Sequence, residues 1–509
     1  MNKTEDKSMK IGLNVFADRI LAGNTGAEVT DEGSLIDFAV CHIEGRNKTV
    51  AESVELAQRL REHFEAQDTD FIVNFEFQNW HEDCTAPDGY SWSENENGCH
   101  RLKLPEEFVK GLAQSPRFKG IMYDELEHCI IHRNPTLQLS SRLKKIMPVF
   151  PPYKDRDVLG QGELLNSQLK DYASSFKQNG APAVLGEHVY PVLFHQFARA
   201  GLYPNFKSLK ENTSNIIFSI AAGAALQYNT PLYNCVDNWF RLSSPGHSPQ
   251  EIYYNLLFAY YAGVDYAYVE SISVMTDGRE LTEYGKKFKQ FCKEYKARHR
   301  DYSIRDYRPE IGIISYDTGY WGQWYPIIFK KCLLGNPKIK PDKRSREIFR
   351  IFNLLTHNES CKNGLSWCRI SPWYLRHKHF SFASLNSTAV FDHNADSSVL
   401  DSLRLCLLCG VHISQGTLNA VRACVRDKGL TVVAPRRFVP QDILDRARGK
   451  SCEISDGLGK WIVIGRYDKG LKKYIKPFLG KKGEMRLTFA QGEVVLKIGD
   501  DKDSFTVKE

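Results

Sequence analysis

Short apolar runs alternate along the first part of the chain with amphipathic stretches of helical spacing. The apolar runs Lys10–Phe16, Asp70–Phe77, Phe118–Glu125, Pro182–His188, Leu232–Asp237 and Val264–Glu270 read as buried strands. Between them, Thr49–Glu65 places Val50, Val54, Leu56, Leu60 and Phe64 at helical spacing. Gly162–Asn179, Lys207–Tyr228, Gln250–Ala262 and Leu281–His299 read the same way. Ser248-Pro249 supplies a cap and first turn for the Gln250 helix. Strands that alternate with helices predict parallel βα units. Two further strands, near Leu35–Cys41 and Lys144–Phe150, would close an eight-stranded (β/α)8 TIM barrel.

The pattern restarts after Arg308-Pro309. Glu310–Tyr316, Ala389–Asp392, Leu403–Leu408 and Leu430–Val433 are strand-like, and Ser345–Leu355 and Ser414–Arg426 are helix-like. Lys460–Gly465 reads as a last strand or a linker. Glu484–Lys508 alternates apolar and polar residues around Gln491-Gly492, as a hairpin does. The expected fold class is α/β: a barrel over 1–304, a smaller flavodoxin- or amidotransferase-like α/β domain over 305–468, and a short C-terminal β module over 469–509.

Four of the apolar runs end on carboxylates. They are Gly120-Ile-Met-Tyr-Asp-Glu125, Ala183-Val-Leu-Gly-Glu187, Leu232-Tyr-Asn-Cys-Val-Asp237 and Asp265-Tyr-Ala-Tyr-Val-Glu270. One acid at a strand end means little. Four predict a pocket of convergent carboxylates at the C-terminal mouth of the barrel, where chemistry sits in this fold. The competing structural reading of each is a salt bridge at a strand end.

Composition narrows the classes. In 509 residues, 68 basic and 61 acidic side chains are interspersed, and the net charge of +7 is no nucleic-acid footprint. Aromatic content of 12% suits either core packing or stacking on sugar rings. No apolar run reaches the roughly 18 residues that span a bilayer. The polar stretch Met1–Lys10 lacks a signal-peptide core, so a cytoplasmic protein is expected, or a periplasmic or secreted one if a leader has been removed. Thirteen cysteines include Cys406-Leu-Leu-Cys409 inside an apolar run; these two and Cys235 read as reduced buried thiols. Cys84 and Cys99 bracket a long loop, Gln78–Arg101, and would form a bridge in an oxidising compartment. GxSxG and GxxxxGK[ST] motifs are absent.

The order of parts resembles, distantly, clan A glycoside hydrolases of the family 42 β-galactosidase type. Gly120–Glu125 sits where that family has a strand ending Asn-Glu, with Asp124 here in place of the Asn. Phe258-Ala-Tyr-Tyr-Ala-Gly-Val-Asp265 resembles the approach to its last barrel strand. Leu403–Pro435 is similar to its amidotransferase-like module. The resemblance implies glycoside hydrolysis without a cofactor, an oligo- or polysaccharide substrate, and trimer or other homo-oligomer contacts through the second domain, while the charge balance and the apolar run lengths above imply no nucleic-acid or membrane partner. It also implies an acid/base at Glu125 and a nucleophile at the end of barrel strand seven. That nucleophile is Asp237 if Val264–Glu270 is strand eight, and Glu270 if the count slips by one.

Glycoside hydrolysis needs one protonated carboxyl for the leaving oxygen and one carboxylate to attack or to activate water. Glu125 is the first candidate for the acid, with Asp124 and Glu127 expected to raise its pKa. Asp124 and Glu127 capping a helix or pairing with Arg133 is the structural alternative. Glu270 and Asp237 are candidates for the opposing group. Glu187 is a rival acid/base or hydroxyl ligand, with Gly186 allowing close ligand approach. Asp124, Glu127, His128, His188 and Asn238 are expected to bind substrate, and Trp80 and Trp239 to offer stacking faces. Two rival functions remain: an inactive carbohydrate-binding or scaffold protein, and a metal-assisted hydrolase using Glu125, His128, His132 and His188. No metal is expected, because the HExxH form is missing.

Overall fold

A computed structural model describes residues 7–23, 35–43, 50–75, 92–94, 100–102, 104–124, 157–188, 193–209, 213–238, 246–270, 275–276, 280–317, 342–360, 380–449 and 451–508. Eight parallel strands close into a barrel. They are β1 (Lys10–Phe16), β2 (Phe38–His42), β3 (Asp70–Asn74), β4 (Phe118–Tyr123), β5 (Val184–His188), β6 (Tyr203–Ser208), β7 (Tyr233–Val236) and β8 (Tyr266–Val269). The ring closes where Lys10 of β1 pairs with Tyr266 of β8. A helix follows each strand: α1 (Ala17–Leu21), α2 (Val50–Ala66), α3 (Glu106–Leu112), α4 (Val158–Gln178), α5 (Phe194–Arg199), α6 (Ser214–Tyr228), α7 (Pro249–Tyr261) and α8 (Glu283–Tyr295). Ser248 and Glu251 form a reciprocal capping box at the start of α7.

One expectation fails. Lys207 does not open a helix; it lies in β6, and α6 begins seven residues later at Ser214. Lys207 turns inward, and a strand that points Tyr203, Asn205 and Lys207 into a barrel lacks an apolar signature. Lys144–Phe150, expected to supply the eighth strand, lies outside the described residues, and β6 completes the ring instead.

Side-chain alternation sorts the strand residues into two cores. Outward residues such as Leu13, Ala39, Phe71, Ile121 and Val236 pack against the helices. Inward residues make a separate apolar plug of Phe38, Val40, Ile72, Met122, Ala183, Leu185, Tyr233, Cys235 and Tyr268. At its floor the rings of Tyr233 and Tyr266 stack 4.3 Å apart. The barrel is therefore filled, and only its mouth is left for polar groups.

The second sheet has six strands in the order β10-β9-β11-β12-β14-β13. β9 (Ile311–Ser315), β10 (Thr388–Phe391), β11 (Leu405–Cys409), β12 (Thr431–Pro435) and β14 (Gly459–Ile464) run parallel. β13 (Ser451–Asp456) adds an antiparallel edge absent from the sequence reading. Lys460–Gly465 is thus a sheet strand and not a linker. Cys406 and Cys409 are buried, free thiols on β11, and burial pushes both thiol pKa values up, so neither is a ready nucleophile. β15 (Glu484–Phe489), β16 (Gly492–Ile498) and β17 (Phe505–Lys508) form a three-stranded antiparallel sheet, one strand more than the expected hairpin.

Barrel and second sheet are bonded together. The His195 Nε2 of α5 lies 2.9 Å from the Val390 carbonyl, and Asn215 Nδ2 of α6 donates to the Ala383 carbonyl at 2.7 Å. Arg199, at the end of α5, pairs with Asp392 after β10 and reaches Asp317 after β9 at 3.5 Å. Tyr228 and Gln227 donate to the same Asp392 carboxylate at 2.5 and 2.6 Å. Among the described residues no helix is long and apolar enough to cross a membrane.

Candidate functional site

Every barrel strand delivers a polar residue to the C-terminal mouth, at the inward position above the apolar plug. β1 gives Asn14, β2 His42 and β3 Asn74. Asp124 follows β4 directly, Glu187 lies on β5 and Lys207 on β6. Asp237 and Glu270 follow β7 and β8. The ladder registers pair His42 with Asn74, Glu187 with Asn205, and Val236 with Val269, which places Asp237 beside Glu270.

Lys207 is the centre of this ring. Its Nζ lies 3.2 Å from Asp124 Oδ1, 3.2 Å from Glu187 Oε2, 3.3 Å from Asp237 Oδ2 and 3.1 Å from Glu270 Oε1. Three of the run-ending carboxylates, Glu187, Asp237 and Glu270, therefore meet around one ammonium together with Asp124, while Glu125 lies outside the described residues. The salt-bridge alternative holds at the same time, since all four are ion-paired. Asp124 pairs with Lys207 and accepts from Asn74 Nδ2 at 3.1 Å. Four of the five side chains are shut off from solvent; Glu270, with 13% of its side chain exposed, is the one that solvent reaches.

Four carboxylates within reach of a single cation cannot all ionise cheaply in a buried setting. Glu187 shows the effect in its proton affinity. Burial raises its pKa well above the ordinary 4.5, and the neighbouring Asp124 charge adds to the rise more than Lys207 offsets it. Tyr268 donates its hydroxyl to Glu187 Oε1, and Asn205 Nδ2 reaches the same oxygen at 3.4 Å and the Tyr268 hydroxyl at 2.8 Å. Glu187 is thus held in a fixed orientation, with its proton affinity raised by burial. Gly186 plays another part than the one expected: a Cβ there would lie 2.5 Å from the Phe197 ring, so its bareness seats α5 against the barrel and leaves no opening for a ligand.

The opposite side of the ring is neutral. Asn14 and Asn74 both direct their amide nitrogens at His42 Nε2. Burial pushes the His42 pKa down to about 4, against the pull of Asp124, so the imidazole is uncharged at neutral pH. Among the described residues, several buried amide atoms in and beside the ring have no partner: Asn14 Oδ1, Asn205 Oδ1, and both Oδ1 and Nδ2 of Asn238, which is 1% exposed. Unsatisfied buried amides are uncommon, and a ligand hydroxyl satisfies one directly.

Of the sequence candidates, the structure brings together Asp124, Glu187, Asp237 and Glu270 and places Asn238 next to Asp237. His188 is described only as the last residue of β5. Glu125, Glu127, His128, Trp80 and Trp239 lie outside the described residues, as do His132, Arg133, Cys84 and Cys99. The sequence reading missed Asn14, His42, Asn74, Asn205, Lys207 and Tyr268. Period-two alternation carried past the apolar part of each strand is the signal that finds them. The strand count makes Tyr266–Val269 the eighth strand and puts Asp237 at the end of the seventh.

Donor atoms of Asp317, Asp392 and His393, at the ends of β9 and β10, lie within 4.8 Å of one another. The Arg199 guanidinium supplies the cation that these carboxylates need.

No protein-family profile and no curated protein matches the chain. Solved structures do. The catalytic module of a family 98 glycoside hydrolase from Streptococcus pneumoniae TIGR4, in complex with the H-disaccharide blood group antigen, is 9% identical, with a TM-score of 0.44, over 98% of this chain and 76% of its own. An apo exo-carrageenase of family GH42 from Bacteroides ovatus is 9% identical, with a TM-score of 0.45, over 97% of this chain and 73% of its own. Barrels with other chemistry match too. Type I 3-dehydroquinate dehydratase from Clostridium difficile is 10% identical, with a TM-score of 0.31, over 56% of this chain and 94% of its own. Likenesses this distant carry no reaction with them, so the chemistry rests on the residues.

Proposed function

We propose that the protein hydrolyses glycosidic bonds of an oligo- or polysaccharide at the barrel mouth, by a two-carboxylate mechanism that needs no cofactor. The observation that carries this reading is the meeting of Asp124, Glu187, Asp237 and Glu270 within 3.3 Å of Lys207 Nζ. Such a reaction needs a carboxyl that holds a proton and a second that does not. Glu187 answers the first requirement by its burial, and Glu270 the second by its ion pair and its exposure. Glu125, joined to Asp124, is the alternative acid on the sequence reading. Neutral His42 and the unsatisfied amides of Asn14 and Asn238 suit uncharged hydroxyl groups.

Oxygens that share one nitrogen as neighbour cannot be farther apart than twice their distance to it. Retaining glycosidases hold their carboxyl groups about 5 to 5.5 Å apart, and inverting ones about 6.5 to 9.5 Å. The Glu187 and Glu270 oxygens beside Lys207 are thereby held closer than the inverting range, and this reading takes a retaining reaction with Glu270 as nucleophile. A panel of oligosaccharides followed by proton NMR tests both points. Release of a product that keeps its anomeric configuration is expected, and inversion removes the Glu187–Glu270 pairing.

One observation favours a second reading, an inactive carbohydrate-binding or scaffold protein: Asp237 and Glu187 are closed off from solvent and tied to Lys207. Glycan binding without turnover across the panel would select it.

A further inference from the structure

The proposed reaction assigns work to carboxylates, yet the residue with the most ionic contacts at the mouth is a lysine. Lys207 is 1% exposed, and its Nζ has a carboxylate from each of four strands within 3.3 Å. An ammonium so enclosed is no free nucleophile for a carbonyl, and it has no open side from which to hold a substrate anion. Its chemistry acts on its neighbours.

The groups that face it are Asp124 from β4, Glu187 from β5, Cys235 and Asp237 from β7, and Tyr268 and Glu270 from β8, with His42 of β2 beyond Asp124. All but Lys207 are acids or, at His42, a neutral base. Burial and the neighbouring carboxylates keep Cys235 a thiol and Tyr268 a phenol. Lys207 is therefore the cation of this cluster among the described residues. Cys235 Sγ and Lys207 Nζ both approach Glu270 Oε1, at 3.9 and 3.1 Å, so that oxygen is fixed from two sides.

We infer that Lys207 is a positioning residue, which holds Glu270 at the solvent-facing edge of the cluster as an oriented, ionised carboxylate. The role rests on the hydrolase reading for its use in catalysis, but not for its existence. Loss of the ammonium would leave Glu270 facing Asp124, Glu187 and Asp237 with one cation fewer beside it, which raises its affinity for a proton.

The experiment is a carboxyl-carbon NMR titration of the full chain labelled in glutamate side chains, with Glu270 and Glu187 assigned from Glu270→Gln and Glu187→Gln. In the unaltered protein Glu270 is expected to titrate below Glu187 and no higher than an ordinary glutamate. In Lys207→Met its midpoint is expected to rise by at least about one pH unit, as loss of an adjacent opposite charge does. Lys207→Arg, which keeps the charge, is expected to leave it within about half of that shift. If Lys207→Met does not fold, the unaltered protein still decides. Glu270 protonating before Glu187 on acidification, or sharing its midpoint, overturns the proposal, as does an unmoved Glu270 in folded Lys207→Met. Where turnover is found, the acidic limb of the kcat/KM profile should follow the Glu270 midpoint in all three proteins, and a limb that ignores it also overturns the role. A low Glu270 midpoint in a protein that hydrolyses no glycan leaves Lys207 its place and removes only the hydrolase reading.

Discussion

Gly223 of α6 lies directly against the backbone of Val390 in β10: a Cβ at 223 would overlap the Val390 carbonyl oxygen and come within 2.9 Å of its nitrogen. The barrel and the second sheet meet there as backbone on backbone, which has no side chain to move aside. Gly223→Ala should therefore cost about 3 kcal/mol or more, at the upper end of overpacking penalties. Urea unfolding measures it. Gly416, in the helix Gln415–Lys428, is the control, because the nearest atom to a Cβ there is 3.9 Å away. Gly416→Ala should be neutral or add about 0.4 to 1 kcal/mol.

Arg199 makes the polar half of the same contact. Its removal as Arg199→Met would strand Asp392, fully buried, and Asp317, 4% exposed, without the cation that pairs with them. Breaking a buried pair from one side costs about 3 to 5 kcal/mol. Arg199→Lys should recover part of this at most, since one ammonium cannot replace a planar fork directed at two carboxylates. Thermal unfolding of the two variants should rank them with the lysine form between the methionine form and the unaltered protein.

How far the chain could be read beforehand follows from what each strand shows a neighbour. β1, β4, β5, β7 and β8 are mostly apolar up to their mouth residues, so they stand out as runs. β6 does not. Its Tyr203-Pro-Asn-Phe-Lys-Ser sequence puts tyrosine, asparagine and lysine into the barrel, and only Phe206 among its last three residues looks like core. Propensity then assigns Lys207 to the helix that follows, and the cation at the middle of the site disappears from view. Asn14, His42 and Asn74 were hidden for the same reason, as polar residues inside otherwise apolar strands. The carboxylates Glu187, Asp237 and Glu270 were legible because each ends its run, and Asp124 because it stands next to the run-ending Glu125. Their shared neighbour was not, because nothing in a linear sequence states that four strand ends face one nitrogen.

Glu187 and His42 should give the folded state opposite pH slopes. Glu187 has a raised pKa in the folded protein, so the folded state binds its proton more tightly than the unfolded chain does. The stability from that difference is complete below about pH 4.5 and is lost as pH rises through the folded value. Glu187→Gln keeps a neutral side chain at all pH values and should flatten the fall of melting temperature toward alkaline pH. The readout is the melting temperature from pH 5 to 9.

His42 runs the other way. Its pKa falls from 6.5 to about 4 on folding, so the unfolded chain binds the proton first. Stability is lost as pH drops from about 6.5 toward about 4. His42→Gln should remove that part of the acid sensitivity. If calorimetry finds the same slope between pH 6.5 and 4 in both proteins, His42 does not carry it.

Exchange of the carboxylates separates chemistry from support. Glu270, the exposed member of the cluster, should lose at least about a hundredfold in kcat as Glu270→Gln, with glycan binding kept, in line with removal of a group that acts in the transition state. Asp237 is closed to solvent and paired with Lys207 at 3.3 Å, so Asp237→Asn should act first on stability and on the position of Lys207. Glu187→Gln and Glu125→Gln divide the acid role: a substrate with an activated leaving group needs little proton donation, so it should rescue the variant of the true acid and not the other. Full rates toward an unactivated glycan in both variants would take the acid role from both residues. An unaltered kcat in Glu270→Gln would take the nucleophile role from Glu270 and return it to Asp237, at the end of the seventh strand.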